Sequence, residues 1–172
     1  MKAAAFASLA FGVALFAGCA RTLPLEEEGA PIRTDRAEYT VTRSEHFLET
    51  RIGMTYTNPT DGRVYLPTCR GVQPPLLEKR VGDRWVTAYA PVHLLCMGPP
   101  VVLRPGESHD YGFRVTAGLP ENDFHPKFEV PEVGGTYRLV WTVFSSWNPD
   151  APGPGPQLPL EQRVSNTFTL RE

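Results

Sequence analysis

Residues 136–144 read TYRLVWTVF, and this run decides the fold. Tyr137, Leu139, Trp141 and Val143 occupy every second position, so an extended chain carries all four on one face. The same period recurs upstream. Over 47–57, Leu48, Ile52, Met54 and Tyr56 share a face, while Glu49, Arg51 and Thr55 take the other, the pattern of a half-buried antiparallel strand. Over 109–115, Tyr111, Phe113 and Val115 alternate with Asp110, Gly112 and Arg114. The last strand is expected over 164–170, with Phe168 and Leu170 inward and Ser165, Thr167 and Thr169 outward.

Turn chemistry separates these runs. Asn58-Pro59-Thr60-Asp61-Gly62 is a strong turn signal, followed by a short strand that begins at Val64 and Leu66. Segments 76–80 and 85–89 flank Val81-Gly82-Asp83-Arg84 and read as a hairpin. Pro105-Gly106 suits a type II turn, whose third residue needs a positive φ. No window holds a long amphipathic helix, and proline recurs too often for one. Seven or eight short strands separated by turns predict an all-β fold, an antiparallel β-sandwich with Greek-key connections, a barrel being the main alternative. No repeat of solenoid length is present.

The chain has 172 residues, with 15 Gly and 18 Pro, 21% charged and 10% aromatic residues. This suffices for one core and argues against wholesale disorder. A net charge of −2 and a pI near 6.1 speak against a nucleic-acid partner. No Walker loop, GxSxG, HExxH or CxxC occurs, and no cofactor is expected.

Residues 1–18 read as a secretory signal: Lys2 supplies the positive region, and 3–17 are almost all apolar or small, too short to span a bilayer. Leu15-Phe16-Ala17-Gly18-Cys19 resembles the lipobox of bacterial lipoproteins, with Phe16 where that family usually has Leu. The resemblance implies cleavage before Cys19, lipidation of its sulfur and attachment to the membrane. Ala20, a non-Asp residue, then favours the periplasmic side of the outer membrane over the inner membrane. Residues 19–36 follow as the lipidated N-terminus and a flexible tether, acidic at Glu26, Glu27 and Glu28 and broken by Pro24, Gly29 and Pro31, and the sandwich domain is expected over 37–172. Three cysteines are an odd number for an exported chain. With Cys19 lipidated, Cys69 and Cys96 remain and are expected to pair in an oxidising compartment. A metal site using His93 and Cys96 is the rival reading.

Segments Leu77-Glu78-Lys79-Arg80-Val81-Gly82-Asp83-Arg84-Trp85, Leu103-Arg104-Pro105-Gly106-Glu107-Ser108 and Gly134-Gly135-Thr136-Tyr137-Arg138-Leu139 resemble, in this order and spacing, the immunoglobulin-like domains of small exported lipoproteins and the related BsuPI-type domain. The resemblance covers roughly residues 37–171 and implies an immunoglobulin-like sandwich, no catalytic residue and no cofactor. Tyr137, after a Gly turn, is placed to act as a tyrosine corner, its hydroxyl bonded to nearby backbone.

Chemistry-bearing residues are sparse. His46, His93, His109 and His125 are scattered over different elements, and no metal site follows from them. Ser108-His109-Asp110 is contiguous, so neighbours point to opposite faces, the wrong arrangement for a triad. Glu121 and Asp123 sit in one loop and read as solvent-facing turn residues rather than a glycosidase pair. The clearest candidate is the Pro-rich segment 145–156, SSWNPDAPGPGP, a connection between the last two strands. Trp147, Asn148 and Asp150 are its candidate binding residues, and Asn58 and Asp61 of the neighbouring turn are expected to complete the surface. A second long connection, 117–134, is expected at the opposite end, with Phe124 and Phe128 capping the core. The sequence thus points to a non-enzymatic, lipid-anchored envelope protein that binds a protein or cell-wall partner. A periplasmic protease inhibitor of BsuPI-like type, or a glycan- or metal-binding module, is the alternative.

Overall fold

The alternation over 47–57 produces β4 (Phe47–Thr57), which buries Leu48, Thr50, Ile52, Met54 and Tyr56 and turns its other residues outward. A computed structural model describes residues 29–92, 98–148 and 154–172. Along its whole length β4 pairs antiparallel with β9 (Ser108–Gly118), from Phe47 opposite Gly118 to Thr57 opposite Ser108. β1 (Ile32–Thr34) and β3 (Thr42–Arg43) pair along the opposite edge of β4 and complete this sheet. The facing sheet runs β2 (Glu38–Thr40), β11 (Phe168–Arg171), β10 (Gly135–Val140), β6 (Leu76–Val81), β7 (Arg84–Tyr89). β5 (Val64–Thr68) and β8 (Gly98–Leu103) form a third, two-stranded ribbon.

The inward residues of all three sheets merge into one core. Ile52, Tyr56 and Val115 from one side meet Leu77, Tyr137, Leu139 and Leu170 from the other, all fully buried. Every buried side-chain nitrogen and oxygen among the described residues has a hydrogen-bond partner, as burial without one would be costly. The molecule is an all-β sandwich. The expected hairpin forms with Val81 opposite Arg84. Gly106 takes φ 72° in the turn closed by the Glu107 amide donating to the Arg104 carbonyl at 3.0 Å. The Tyr137 hydroxyl donates to the Val133 carbonyl at 2.6 Å, so the tyrosine corner is present.

Three expectations need correction. The tether does not reach residue 36: Ile32 is fully buried and pairs with Tyr56, so the sandwich begins at β1. The described residues hold eleven strands rather than seven or eight, because β1, β2 and β3 are two or three residues long. Ser165 faces in, at 1% exposure. Its hydroxyl accepts from the Leu139 amide at 2.8 Å, and its amide donates to the Leu139 carbonyl at 3.0 Å, because the chain is irregular before β11 and alternation breaks there.

The buried tyrosines make the fold alkali-sensitive. Burial raises the hydroxyls of Tyr39, Tyr56, Tyr89, Tyr111 and Tyr137 above their ordinary value, and the Asp35 carboxylate, which accepts from Tyr39, adds to the shift there. Unfolded tyrosines ionise near pH ~10, folded ones only above it. The unfolded state therefore loses protons first, and stability present below pH ~10 falls as pH rises through the folded values. A melting temperature that drops above pH ~10, with tyrosinate absorbance appearing only as the protein unfolds, is the expected result. Tyrosinate appearing in the folded protein near the ordinary value would contradict it.

Candidate functional site

The strand expected over 136–144 divides in two. After Val140, which pairs with Leu76, the chain leaves the five-stranded sheet and crosses to β5. There Phe144 and Tyr65 exchange both backbone hydrogen bonds at 3.0 Å. The chain then folds back on itself. Leu158 donates to the Val143 carbonyl at 2.9 Å, Ser145 to that of Pro156 at 3.0 Å, and Gly155 to that of Ser146 at 3.1 Å. Trp147 bridges to Pro154. Residues 143–148 and 154–158 thus run as the two arms of a hairpin held by a backbone ladder. A Cβ on Gly155 would clash with the Ser146 Oγ and lie 3.1 Å from the Ser146 carbonyl oxygen, so the Ser146 side chain would have to turn away to admit one. Arg163 braces the base, its Nε donating to the Leu158 carbonyl at 2.9 Å and a terminal nitrogen to that of Trp141 at 3.3 Å.

Trp147 is half-buried, its ring edge-on to Phe144 with centroids 6.3 Å apart. Asn148 is exposed. Asp150 lies outside the described residues, as do Cys19, Cys96 and the signal segment. Asp61 is exposed on the turn after β4. The antiparallel match of Tyr65 with Phe144 makes this turn and the hairpin project from the same end of the sandwich.

Asn58 does not belong to that surface. It is 2% exposed. Its Nδ2 donates to the carbonyls of Gly62 at 2.8 Å and Leu103 at 3.2 Å, and its Oδ1 accepts from the Thr60 amide and hydroxyl, both at 2.9 Å. An asparagine before proline reads as a solvated turn residue, but here it is the internal clamp of the loop.

The connection after β9 lies at the opposite end, where Gly118 faces Phe47. Phe128 caps the core as expected, 1% exposed, with its ring 5.7 Å from that of Tyr89. Phe124 does not: it is 58% exposed and lies 6.2 Å from Phe47, itself 41% exposed. This aromatic pair was not legible in the sequence, since nothing in an irregular loop says which of two phenylalanines turns inward. A groove of about 380 Å³ in the same connection runs between Pro120 and Pro131 and is lined by Lys127, Phe128 and Glu129.

Ser108 and Asp110 point outward and are engaged across the sheet, Ser108 with the Thr57 hydroxyl at 2.8 Å and Asp110 with that of Thr55 at 2.6 Å. His109 lies on the other face of β9, so the contiguous trio does not converge. Glu121 pairs with Arg43 at 2.8 Å. Among the described residues no group of three His, Cys, Asp or Glu is placed to hold a metal, and no helix is long and apolar enough to cross a membrane.

No family model matches the chain, and no curated protein does. Among solved structures, the N-terminal domain of PorA is similar to it at 14% identity, over 78% of this chain and 85% of that one, with a TM-score of 0.29.

Proposed function

We propose that the chain is a non-enzymatic, lipid-anchored protein of the cell envelope whose sandwich binds a protein or cell-wall partner at the end that carries the 143–158 hairpin. The observation that carries this reading is Trp147. A large aromatic side chain stands half-exposed on a hairpin whose arms are already fixed by backbone hydrogen bonds. Tryptophan is enriched among residues that dominate binding, and a side chain carried on an arm already held by backbone hydrogen bonds loses little entropy when it binds.

The anchor fits the same geometry. The Thr57 amide donates to the Pro31 carbonyl, so the chain reaches the sandwich at the hairpin end. With Cys19 acylated, residues 20–31 stretch to about 40 Å at most, which keeps Trp147 near the membrane surface. The disulfide belongs to the same reading. Cys69 directly follows Thr68, whose Cα partner Gly98 lies two residues after Cys96. Alkylation of the denatured chain before and after reduction counts the thiols and tests this pairing.

The functional test uses the full chain as bait in crosslinked envelope, beside Trp147→Ala and Cys19→Ala. The expected result is a partner captured by the wild type and lost with Trp147→Ala, whose melting temperature stays unchanged. Palmitate labelling should vanish with Cys19→Ala. Equal capture by wild type and Trp147→Ala would overturn the hairpin as the site, and labelling that survives Cys19→Ala would overturn the anchor.

A further inference from the structure

We propose that β9 is a self-pairing edge through which two copies of this chain join, antiparallel, about a two-fold axis at Gly112. This stands on the sandwich alone and does not depend on the anchor or the hairpin.

β9 is eleven residues long and pairs with β4 without a register break. On its other side, backbone pairing among the described residues begins only at Gly118, whose amide donates to the Pro126 carbonyl at 2.8 Å. The Tyr89 hydroxyl meets the Thr116 main chain just before it. From Ser108 to Val115 no other strand or bridge among the described residues pairs with this edge. Such an edge is normally blunted by proline, lysine, a bulge or shortness. The other edges show these devices. β8 carries Pro99 and Pro100, β5 carries Pro67 and a register shift, and β1 and β2 have three residues each. β7 is closed at one end, where the Glu129 amide donates to the Ala88 carbonyl at 2.8 Å. Residues 108–116, SHDYGFRVT, contain no proline, lysine or bulge.

The order of residues selects the occupant. Gly112 is the centre of a near-palindrome in which Asp110 answers Arg114, Tyr111 answers Phe113 and Ser108 answers Thr116. An antiparallel copy centred on Gly112 sets Asp110 opposite Arg114 of the second copy, and the symmetry repeats the pair. A parallel, in-register copy would oppose like charges at both positions. Within one chain Arg114 already lies directly across from Arg51, a like-charge pair. Glu49 offsets this on one side at 2.7 Å, and the carboxylate of the second copy would offset it on the other. The glycine at the axis removes the side chains that would meet there.

The test uses the full chain in detergent with Gly112→Cys. A Cβ at this position meets no atom closer than 3.9 Å, so the variant should fold. On the axis the two Cα atoms come within disulfide range, and a disulfide-linked dimer is expected. Thr55→Cys, outward on β4, should not link and controls for chance encounters in a micelle. In the Gly112→Cys background, Asp110→Arg alone and Arg114→Asp alone should each weaken linkage about tenfold or more. Mixing these two variants restores both opposite-charge pairs, and linked heterodimer should return. This recovery also shows that neither variant is merely misfolded. Linkage of Thr55→Cys equal to that of Gly112→Cys, absence of linkage at Gly112→Cys, or a mixture that links no better than its parts would overturn the proposal.

Discussion

Replacing Trp141 by alanine should cost about 3–5 kcal/mol, a large share of the ~5–15 kcal/mol that holds an ordinary domain folded. Trp141 is fully buried where the chain leaves the five-stranded sheet for β5. Its ring stands edge-on to Tyr56 of β4 at 6.0 Å and stacks on Tyr111 of β9 at 5.4 Å. Its Nε1 donates to the Gln73 carbonyl at 2.6 Å, and its amide to that of Arg163 at 2.9 Å. One side chain thus joins both long strands, the crossing segment and the loop after β5. The surrounding rings are pinned by their own hydroxyls, Tyr111 to the Val72 carbonyl and Tyr56 to that of Gln162, so the site collapses poorly around a cavity. Trp141→Phe keeps most of the bulk, loses one hydrogen bond and a ring, and should cost about 1–2 kcal/mol. Urea titration followed by far-ultraviolet circular dichroism measures both. An alanine variant within ~1 kcal/mol of wild type would mean that Trp141 is not the joint described here.

The difference between legible and illegible parts of this chain follows strand length and burial. Tyr137, Leu139, Trp141 and Val143 were legible because each buries fully on the face their period assigns. The corner at Tyr137 was legible because a Gly pair precedes it. β1 was not: three residues with one buried side chain, Ile32, amid charged neighbours carry no period. What orders them is tertiary, since Ile32 pairs with Tyr56 and bridges to Ser165, while Asn166 clamps Thr34. The hairpin was legible as a loop with an aromatic, but not as a ladder, because Pro-Gly composition hides backbone pairing. Phe124 shows the reverse: an apolar residue expected to cap the core stands half in solvent, beside Phe47, which the period of β4 places on the outer face.

Asn58 is where polarity misleads most, and its replacement is the second large effect. Asn58→Ala removes an amide that makes four hydrogen bonds, leaving the Leu103 carbonyl and the Thr60 amide without their side-chain partner. The main chain of Asn58 is paired as well, with Glu107 and Gly106, so the residue ties the turn after β4 to the turn before β9. The expected cost is about 2–4 kcal/mol. Asn58→Asp separates the two halves of the amide. A carboxylate keeps the acceptor that Thr60 needs but turns its other, lone-pair-bearing oxygen on the Gly62 and Leu103 carbonyls. Those carbonyls favour the protonated acid, which raises its folded pKa. Its stability contribution is then present below pH ~4 and lost as pH rises through the folded value. The deficit of Asn58→Asp should therefore grow from pH ~3.5 to pH ~7, while that of Asn58→Ala stays nearly flat. Urea midpoints at the two pH values decide it. A variant that lost partner capture yet kept wild-type stability would return Asn58 to the binding surface. One that lost stability and kept capture whenever folded would leave recognition to Trp147 and its hairpin.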